Sequence, residues 1–206
     1  MKLALPKIYP ITDTRLSKIS HAAQVERLAD GGATFIQLRE KYASSQDFYQ
    51  AARAALEIAR RCGVKIIIND RVDIALALRC DGVHLGQDDL PPERARRILG
   101  EAAIIGFSTH NLEQAVRAVK MPIDYLAFGP VFATMTKENP DRAVGIEGLK
   151  RIRQSIGDFP LVAIGGITSE NFREVLEAGA DSIAVINSLI SDADKITERT
   201  RLFLDL

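Results

Sequence analysis

Short apolar runs alternate with longer amphipathic stretches along the chain, and most of the runs exit into polar residues. The pattern is plainest between Ile66 and Asp89. Ile66-Ile67-Ile68 is β-branched and apolar throughout, the mark of a strand buried on both faces. Asn69 and Asp70 do not belong in such a strand and mark its exit. Arg71–Asp81 then sets Val72, Ile74, Ala75 and Leu78 close to the i, i+3, i+4 spacing of one helix face. Eleven helical residues rise about 16 Å, enough to return along a five-residue strand about 17 Å long. Gly82–Leu85 is a second strand, and it too leads into acid at Asp88 and Asp89. Strand, return helix and strand make a βαβ unit whose parallel strands end on the same side.

The same reading extends in both directions. Further strands are predicted at Ile8–Ile11, Thr34–Leu38, Ala103–Phe107, Asp124–Phe128, Pro160–Ile164 and Ser182–Ile186. Further helices are predicted at His21–Gly31, from Ser44/Ser45 to about Arg61, at Pro91–Leu99, after the Asn111/Gln114 capping pair, and at Gly148–Ile156, Ser169–Ala178 and Asp192–Phe203. Eight strands alternating with eight helices predict an α/β chain folded as a single-domain (β/α)8 TIM barrel over residues 1–206, with a doubly wound open sheet as the alternative. In a barrel the reactive groups belong on the loops after the strands. Those loops hold nearly every polar residue that periodicity leaves unexplained: Arg39, Lys41, Asn69, Asp70, Asp89, Ser108, Thr134, Thr136, Lys137 and the Gly165-Gly166 pair. The opposite loops, such as Arg61-Cys62-Gly63 and Glu177–Ala180, read as helix caps.

Composition narrows the function. The chain has 206 residues, 47% of them hydrophobic, enough for one sizeable core. Lys+Arg and Asp+Glu balance at 27 each without a basic block, so neither nucleic acid nor a membrane surface is an expected partner. No apolar run approaches a transmembrane length, and a signal-peptide pattern is lacking. Cys62 and Cys80 stand alone, outside any metal or redox spacing, and read as small buried apolar side chains in a reducing cytoplasm. The expected partners are small-molecule substrates, with a homo-oligomer left open.

Asp70 and Asp89 emerge from adjacent parallel strands, a natural place for a hard cation, although Asp is also a common helix N-cap. Arg39, Lys41 and Lys137 bring positive charge to the same end, Arg39 with a fork suited to phosphate and each Lys as a point charge. Taken alone, Arg39-Glu40-Lys41 also reads as a solvated charged turn. A cation held by two carboxylates and surrounded by these groups suits a diphosphate. Gly165-Gly166, followed by Thr168/Ser169 at a predicted helix start, suggests a second anion site, or only a tight turn. His84 reads better as a histidine hydrogen-bonded beneath the site than as a ligand contact. His110 reads equally as a group at the start of a helix or as a proton-transfer group.

Six motifs carry a family resemblance: Gln37-Leu38-Arg39-Glu40-Lys41, Ile68-Asn69-Asp70-Arg71, Gly82-Val83-His84-Leu85-Gly86-Gln87-Asp88-Asp89, Gly106-Phe107-Ser108-Thr109-His110, Gly129-Pro130-Val131-Phe132 with Thr134-Met135-Thr136-Lys137, and Ala163-Ile164-Gly165-Gly166-Ile167. In order and spacing the chain resembles the thiamine-phosphate synthases, along essentially its whole length. That resemblance implies a barrel transferase joining 4-amino-2-methyl-5-(diphosphooxymethyl)pyrimidine to a thiazole ethyl phosphate, with release of diphosphate. It implies that Gln37, Leu38, Arg39, Glu40, Lys41, Asn69, Ser108 and Lys137 hold the pyrimidine diphosphate. Arg39, Lys41, Ser108 and Lys137 would be catalytic, and Asp70 and Asp89 would hold Mg2+. Thr134, Met135, Thr136, Gly166, Ile186 and Asn187 would hold the thiazole phosphate. Asn187 stands where the family commonly has a serine, with Ser188 one residue later. A thiazole tautomerase, which needs no diphosphate site, and a non-catalytic phosphate-binding sensor are the competing readings.

Overall fold

The computed structural model describes residues 3–134 and 142–205. Eight parallel strands close into a barrel in sequence order, β1 to β8, with β8 pairing back to β1. They are β1 Ile8–Thr12, β2 Phe35–Leu38, β3 Lys65–Asn69, β4 Gly82–Leu85, β5 Ile104–Thr109, β6 Tyr125–Phe128, β7 Leu161–Ile164 and β8 Ser182–Val185. The open doubly wound sheet is therefore excluded. The helices are α1 Thr14–Ser17, α2 His21–Asp30, α3 Ser45–Cys62, α4 Val72–Leu78, α5 Pro92–Leu99, α6 Leu112–Ala118, α7 Gly145–Ile156, α8 Phe172–Glu177, α9 Asn187–Ile190 and α10 Ile196–Leu204. Among the described residues no helix is long and apolar enough to cross a membrane.

The strands are buried on both faces, and alternate residues serve two cores. Tyr9, Ile11, Phe35, Ile67, Ile104, Tyr125, Val162 and Ala184 pack inside the barrel. Ile8, Ile36, Leu38, Ile66, Ile68, Ile105, Leu126 and Ile183 face the surrounding helices. A three-isoleucine run is the natural sequence for β3, because its side chains alternate between these two apolar layers and none meets water.

At the N-terminal end the barrel is closed by a recurring clasp. Asp81, Asp124 and Asp181 each stand one residue before β4, β6 or β8. Each carboxylate accepts a backbone N–H from the preceding strand, of Ile66, Ile105 and Leu161 at 2.8, 2.7 and 2.8 Å. Arg96 and Arg153 add a guanidinium to two of the three, 2.7 Å from Asp124 and 2.6 Å from Asp181, while also donating to nearby carbonyls.

Several boundaries differ from the sequence reading. The return helix predicted over Arg71–Asp81 is only Val72–Leu78, because Arg79 turns into the left-handed region (φ 52°) and ends it. The helix predicted from Ser169 begins at Phe172, since the Asn171 side chain folds Thr168–Asn171 into a turn, with Oδ1 accepting from Thr168 N and Nδ2 donating to the Gly166 carbonyl. Helices α1 and α9 have too few residues to show a periodicity. Cys62 is exposed at the end of α3, not buried as expected; Cys80 is half-buried, and burial pushes its thiol up to about 12.

Candidate active site

Gln37, Asn69, His84 and Ser108 project inward from the upper ends of β2, β3, β4 and β5, over the apolar layer of Ile11, Val162 and Ala184. Together with the loops above they line one cavity of about 1210 Å³ at the C-terminal face. A pocket for one small ligand commonly measures roughly 300–1,000 Å³, so there is room for two.

One flank of this cavity is ionic. Asp70 follows β3 with a left-handed backbone (φ 61°), sparsely used outside glycine, and its N–H is tied to the His84 carbonyl at 2.8 Å. Its carboxylate accepts Lys41 Nζ at 2.5 Å. Asp89 accepts the Gly86 N–H at 2.7 Å and lies in hydrogen-bond contact with Asp70. Burial, with the Asp70 carboxylate beside it, holds the Asp89 pKa above the ordinary range. Two crowded carboxylates form a donor set that suits Mg2+, which commonly takes one or two carboxylates plus water and phosphate oxygens. Among the described residues no third acid, histidine or cysteine joins them, so the remaining ligands would be waters or substrate oxygens.

Arg39 is braced on the same flank. Asp13 caps α1 through Oδ1 and accepts Arg39 Nη1 through Oδ2 at 2.7 Å. Glu40 turns the other way and accepts from Thr14 Oγ1 at 2.8 Å and Tyr42 N at 3.1 Å. Burial opposes its ionisation, but these hydrogen bonds outweigh it and hold the carboxyl below its ordinary pKa. On the far side Gly165 and Gly166 take φ of 102° and 64°, open to glycine above all. A Cβ on Gly166 would lie 2.6 Å from the Ala133 carbonyl oxygen, so the glycine lets the loops after β6 and β7 pack together. Ile186, Asn187 and Ser188, at the start of α9, line the cavity beside them, and Ser188 Oγ staples this loop to the Ile167 carbonyl at 2.9 Å.

A continuous polar chain runs beneath the cavity. Gln37 Nε2 donates to Tyr9 Oη at 3.0 Å, and Tyr9 Oη meets Tyr125 Oη at 2.8 Å. Tyr125 Oη lies 2.9 Å from His84 Nδ1, and His84 Nε2 lies 2.8 Å from Ser108 Oγ. Burial raises both phenols well above their ordinary pKa, so both stay protonated. His110 sits higher on the wall, where its Nδ1 donates to the Gly129 carbonyl at 2.8 Å.

Of the residues expected in the site, Gln37, Arg39, Lys41, Asn69, Asp70, Asp89, Ser108, Thr134, Gly166, Ile186 and Asn187 line this one cavity. Leu38 and Glu40 do not. Leu38 points into the outer core and Glu40 is held by Thr14, because alternate residues of a strand and its exit face opposite ways. Met135, Thr136 and Lys137 lie outside the described residues. The expected helix start at Thr168/Ser169 is a turn, and the helix N-terminus that faces the cavity is that of α9. The sequence reading missed Tyr9, Tyr125 and Asp13. The two tyrosines resemble ordinary strand aromatics, and the available signal was Gly106, which pairs with both His84 and Tyr125.

Residues 8–189 match the family model of thiamine monophosphate synthase. The chain belongs to that family. It is 46% identical over 196 residues to the thiamine-phosphate synthase of Chloroflexus aurantiacus, covering 95% of this chain and 89% of the relative. To the thiamine-phosphate synthase of Clostridium novyi it is 47% identical over 189 residues, covering 91% and 92%. The solved structure of thiamine phosphate pyrophosphorylase from Pyrococcus furiosus superposes with a TM-score of 0.87 at 39% identity, covering 96% of this chain and 93% of that one. Membership makes the chain an enzyme of the transferase class in thiamine biosynthesis.

Proposed function

We propose that this chain is a Mg2+-dependent thiamine-phosphate synthase, joining 4-amino-2-methyl-5-(diphosphooxymethyl)pyrimidine to a thiazole ethyl phosphate. The observation that carries this reading is the meeting of Asp70, Asp89, Arg39 and Lys41 on one flank of a cavity with room for two ligands. Asn69 adds to it. Its side chain is buried and its Nδ2 has no partner among the described residues, a cost that a bound acceptor would remove.

In this reading Arg39 and Lys41 bind the diphosphate oxygens, Asn69 donates to the same substrate, and Ser108 meets its ring. Lys137 joins them on the strength of its sequence position. Mg2+ held by Asp70 and Asp89 would offset the negative charge that grows on the departing diphosphate. Loss of diphosphate leaves a cation at the exocyclic methylene, stabilised by the aminopyrimidine, and the thiazole nitrogen attacks that carbon. No protein nucleophile is required. The chain's part is to orient both rings, to hold the leaving group through charge-assisted bonds and to exclude water. Thr134, Gly166, Ile186 and Asn187 cradle the thiazole phosphate, with Met135 and Thr136 added from the sequence. Asn187 keeps its backbone N–H whatever its side chain, so the substitution for serine leaves the main donor in place.

The test supplies both substrates to purified protein, first with Mg2+ and then with EDTA, and follows thiamine phosphate and diphosphate. Formation of both products, lost with EDTA, is the expected result. A folded protein that binds the thiazole phosphate and makes no product refutes the reading in favour of a tautomerase or a sensor.

A further inference from the structure

We propose that His84, Tyr125 and Tyr9 are positioning residues that fix the direction of one hydrogen-bond chain, so that Ser108 presents a donor and Gln37 an acceptor to the substrate ring. The inference rests on the function proposed above for the identity of that ring. The chain itself rests on four contacts within hydrogen-bond distance: Gln37–Tyr9 at 3.0 Å, Tyr9–Tyr125 at 2.8 Å, Tyr125–His84 at 2.9 Å and His84–Ser108 at 2.8 Å.

Its direction follows from the amide at one end. The structure places the Gln37 amide with Nε2, which only donates, toward Tyr9, so in this orientation Tyr9 Oη accepts there. Tyr9 is buried, and among the described residues the acceptor for its own hydroxyl hydrogen is the Tyr125 oxygen. Tyr125 then gives its hydrogen to His84 Nδ1. An imidazole that accepts at Nδ1 carries its proton at Nε2, so His84 donates to Ser108 Oγ. The Ser108 hydroxyl hydrogen is thereby turned away from the histidine and into the cavity. With the amide in this orientation the reverse order gives Tyr9 two donors and strands its own hydrogen in a buried position, which disfavours it; the reverse chain requires Gln37 Oε1 toward Tyr9 and an Nδ1-protonated His84.

Both ends of the chain face the cavity. With Nε2 committed to Tyr9, the Gln37 amide offers Oε1 to a ligand, and Ser108 offers O–H. One acceptor and one donor suit a heteroaromatic ring that carries an amino group beside a ring nitrogen, as an aminopyrimidine does. A hydroxypyrimidine in its keto form presents the opposite order, an acceptor beside an N–H, and meets like against like at both ends. Gly106 supports the arrangement independently, because a Cβ there would lie 2.0 Å from Tyr125 Cζ.

The test begins with the free protein labelled with 15N-histidine, its His84 signals identified by difference against His84→Gln. One-bond N–H coupling at Nε2, with Nδ1 unprotonated at neutral pH, is expected; an Nδ1-protonated ring or an imidazolium overturns the chain. Tyr125→Phe keeps the ring and removes the relay. It is expected to lower kcat/KM for the pyrimidine diphosphate about three- to tenfold, one neutral hydrogen bond's worth, with the KM for thiazole phosphate unchanged. If Tyr125 acts only through the two ends of the chain, Tyr125→Phe causes no further loss in a Gln37→Ala/Ser108→Ala background, and a further loss there overturns the assignment. A wild-type protein that makes no thiamine phosphate overturns the aminopyrimidine as ligand, while the His84 spectrum still judges the chain on its own.

Discussion

Replacing Gly106 by alanine puts a methyl group where the Tyr125 ring already stands. The added Cβ would lie 2.0 Å from Cζ, 2.3 Å from Oη and 2.5 Å from Cε1 of that ring. Ordinary carbon contacts begin near 3.5 Å, so the ring must retreat by about 1.5 Å. It has little room to do so. Tyr125 is fully buried, with the rings of Tyr9, Phe35 and His84 packed around it at centroid distances of 5.8, 6.3 and 5.6 Å. Overpacking of this kind costs about 1–3 kcal/mol. The same displacement breaks the bonds from Tyr125 Oη to Tyr9 and His84, at about 1 kcal/mol each. The expected cost is therefore about 3–5 kcal/mol, a large part of the 5–15 kcal/mol typical of whole folds. Urea unfolding followed by circular dichroism measures it as a lowered midpoint at unchanged slope. In a Tyr125→Leu background the obstacle is gone, and Gly106→Ala is expected to cost less than about 1 kcal/mol. A loss under about 0.5 kcal/mol in the wild-type background would refute the steric argument.

Other variants separate the remaining parts of the structure. Asp89→Asn is expected to raise the Mg2+ requirement sharply while leaving the metal-free protein at least as stable at neutral pH. The sign follows from its raised pKa: ionising the folded carboxyl costs stability as pH rises from the ordinary carboxylate value through the raised one, and asparagine is spared this. Thermal melts in EDTA at pH 7 and pH 3.5 should show that advantage at the higher pH alone. Arg153→Met removes four hydrogen bonds at the foot of β7 and β8 and is expected to cost about 2–4 kcal/mol with kcat unchanged. Urea midpoints and initial rates check both halves. Lys137→Ala is expected to slow single-turnover release of diphosphate. A change confined to the KM for thiazole phosphate would assign that lysine to the other substrate.

The alternation of apolar runs was enough to count eight strands, because each must be apolar on both faces of a barrel wall. It was enough to put Asp70 and Asp89 together, because parallel neighbours end on one side. What it could not show is which way an individual side chain turns at a strand exit. Leu38 and Glu40 are adjacent to the cavity-lining Gln37 and Arg39 in sequence, yet the pleat sends them outward. The polar chain was hidden for a related reason. A tyrosine inside a barrel looks like any other strand aromatic until its hydroxyl is seen to have partners. Helix α9 escaped because four residues carry no periodicity, and the Thr168–Asn171 turn because one asparagine side chain folds it.

The three aspartate clasps have a consequence for how this barrel tolerates change. They sit before β4, β6 and β8 at the end opposite the cavity, so pairs of strands are fastened together by atoms that never meet a substrate. Loops at the upper rim can therefore be shortened, lengthened or exchanged while the staves stay bound at the base. A grafting experiment that swaps the largely exposed Gln87–Leu90 stretch before α5 for a foreign one should yield folded barrels, whether or not they retain a reaction. A chain arranged like this is a scaffold whose next chemistry can be tried out one loop at a time.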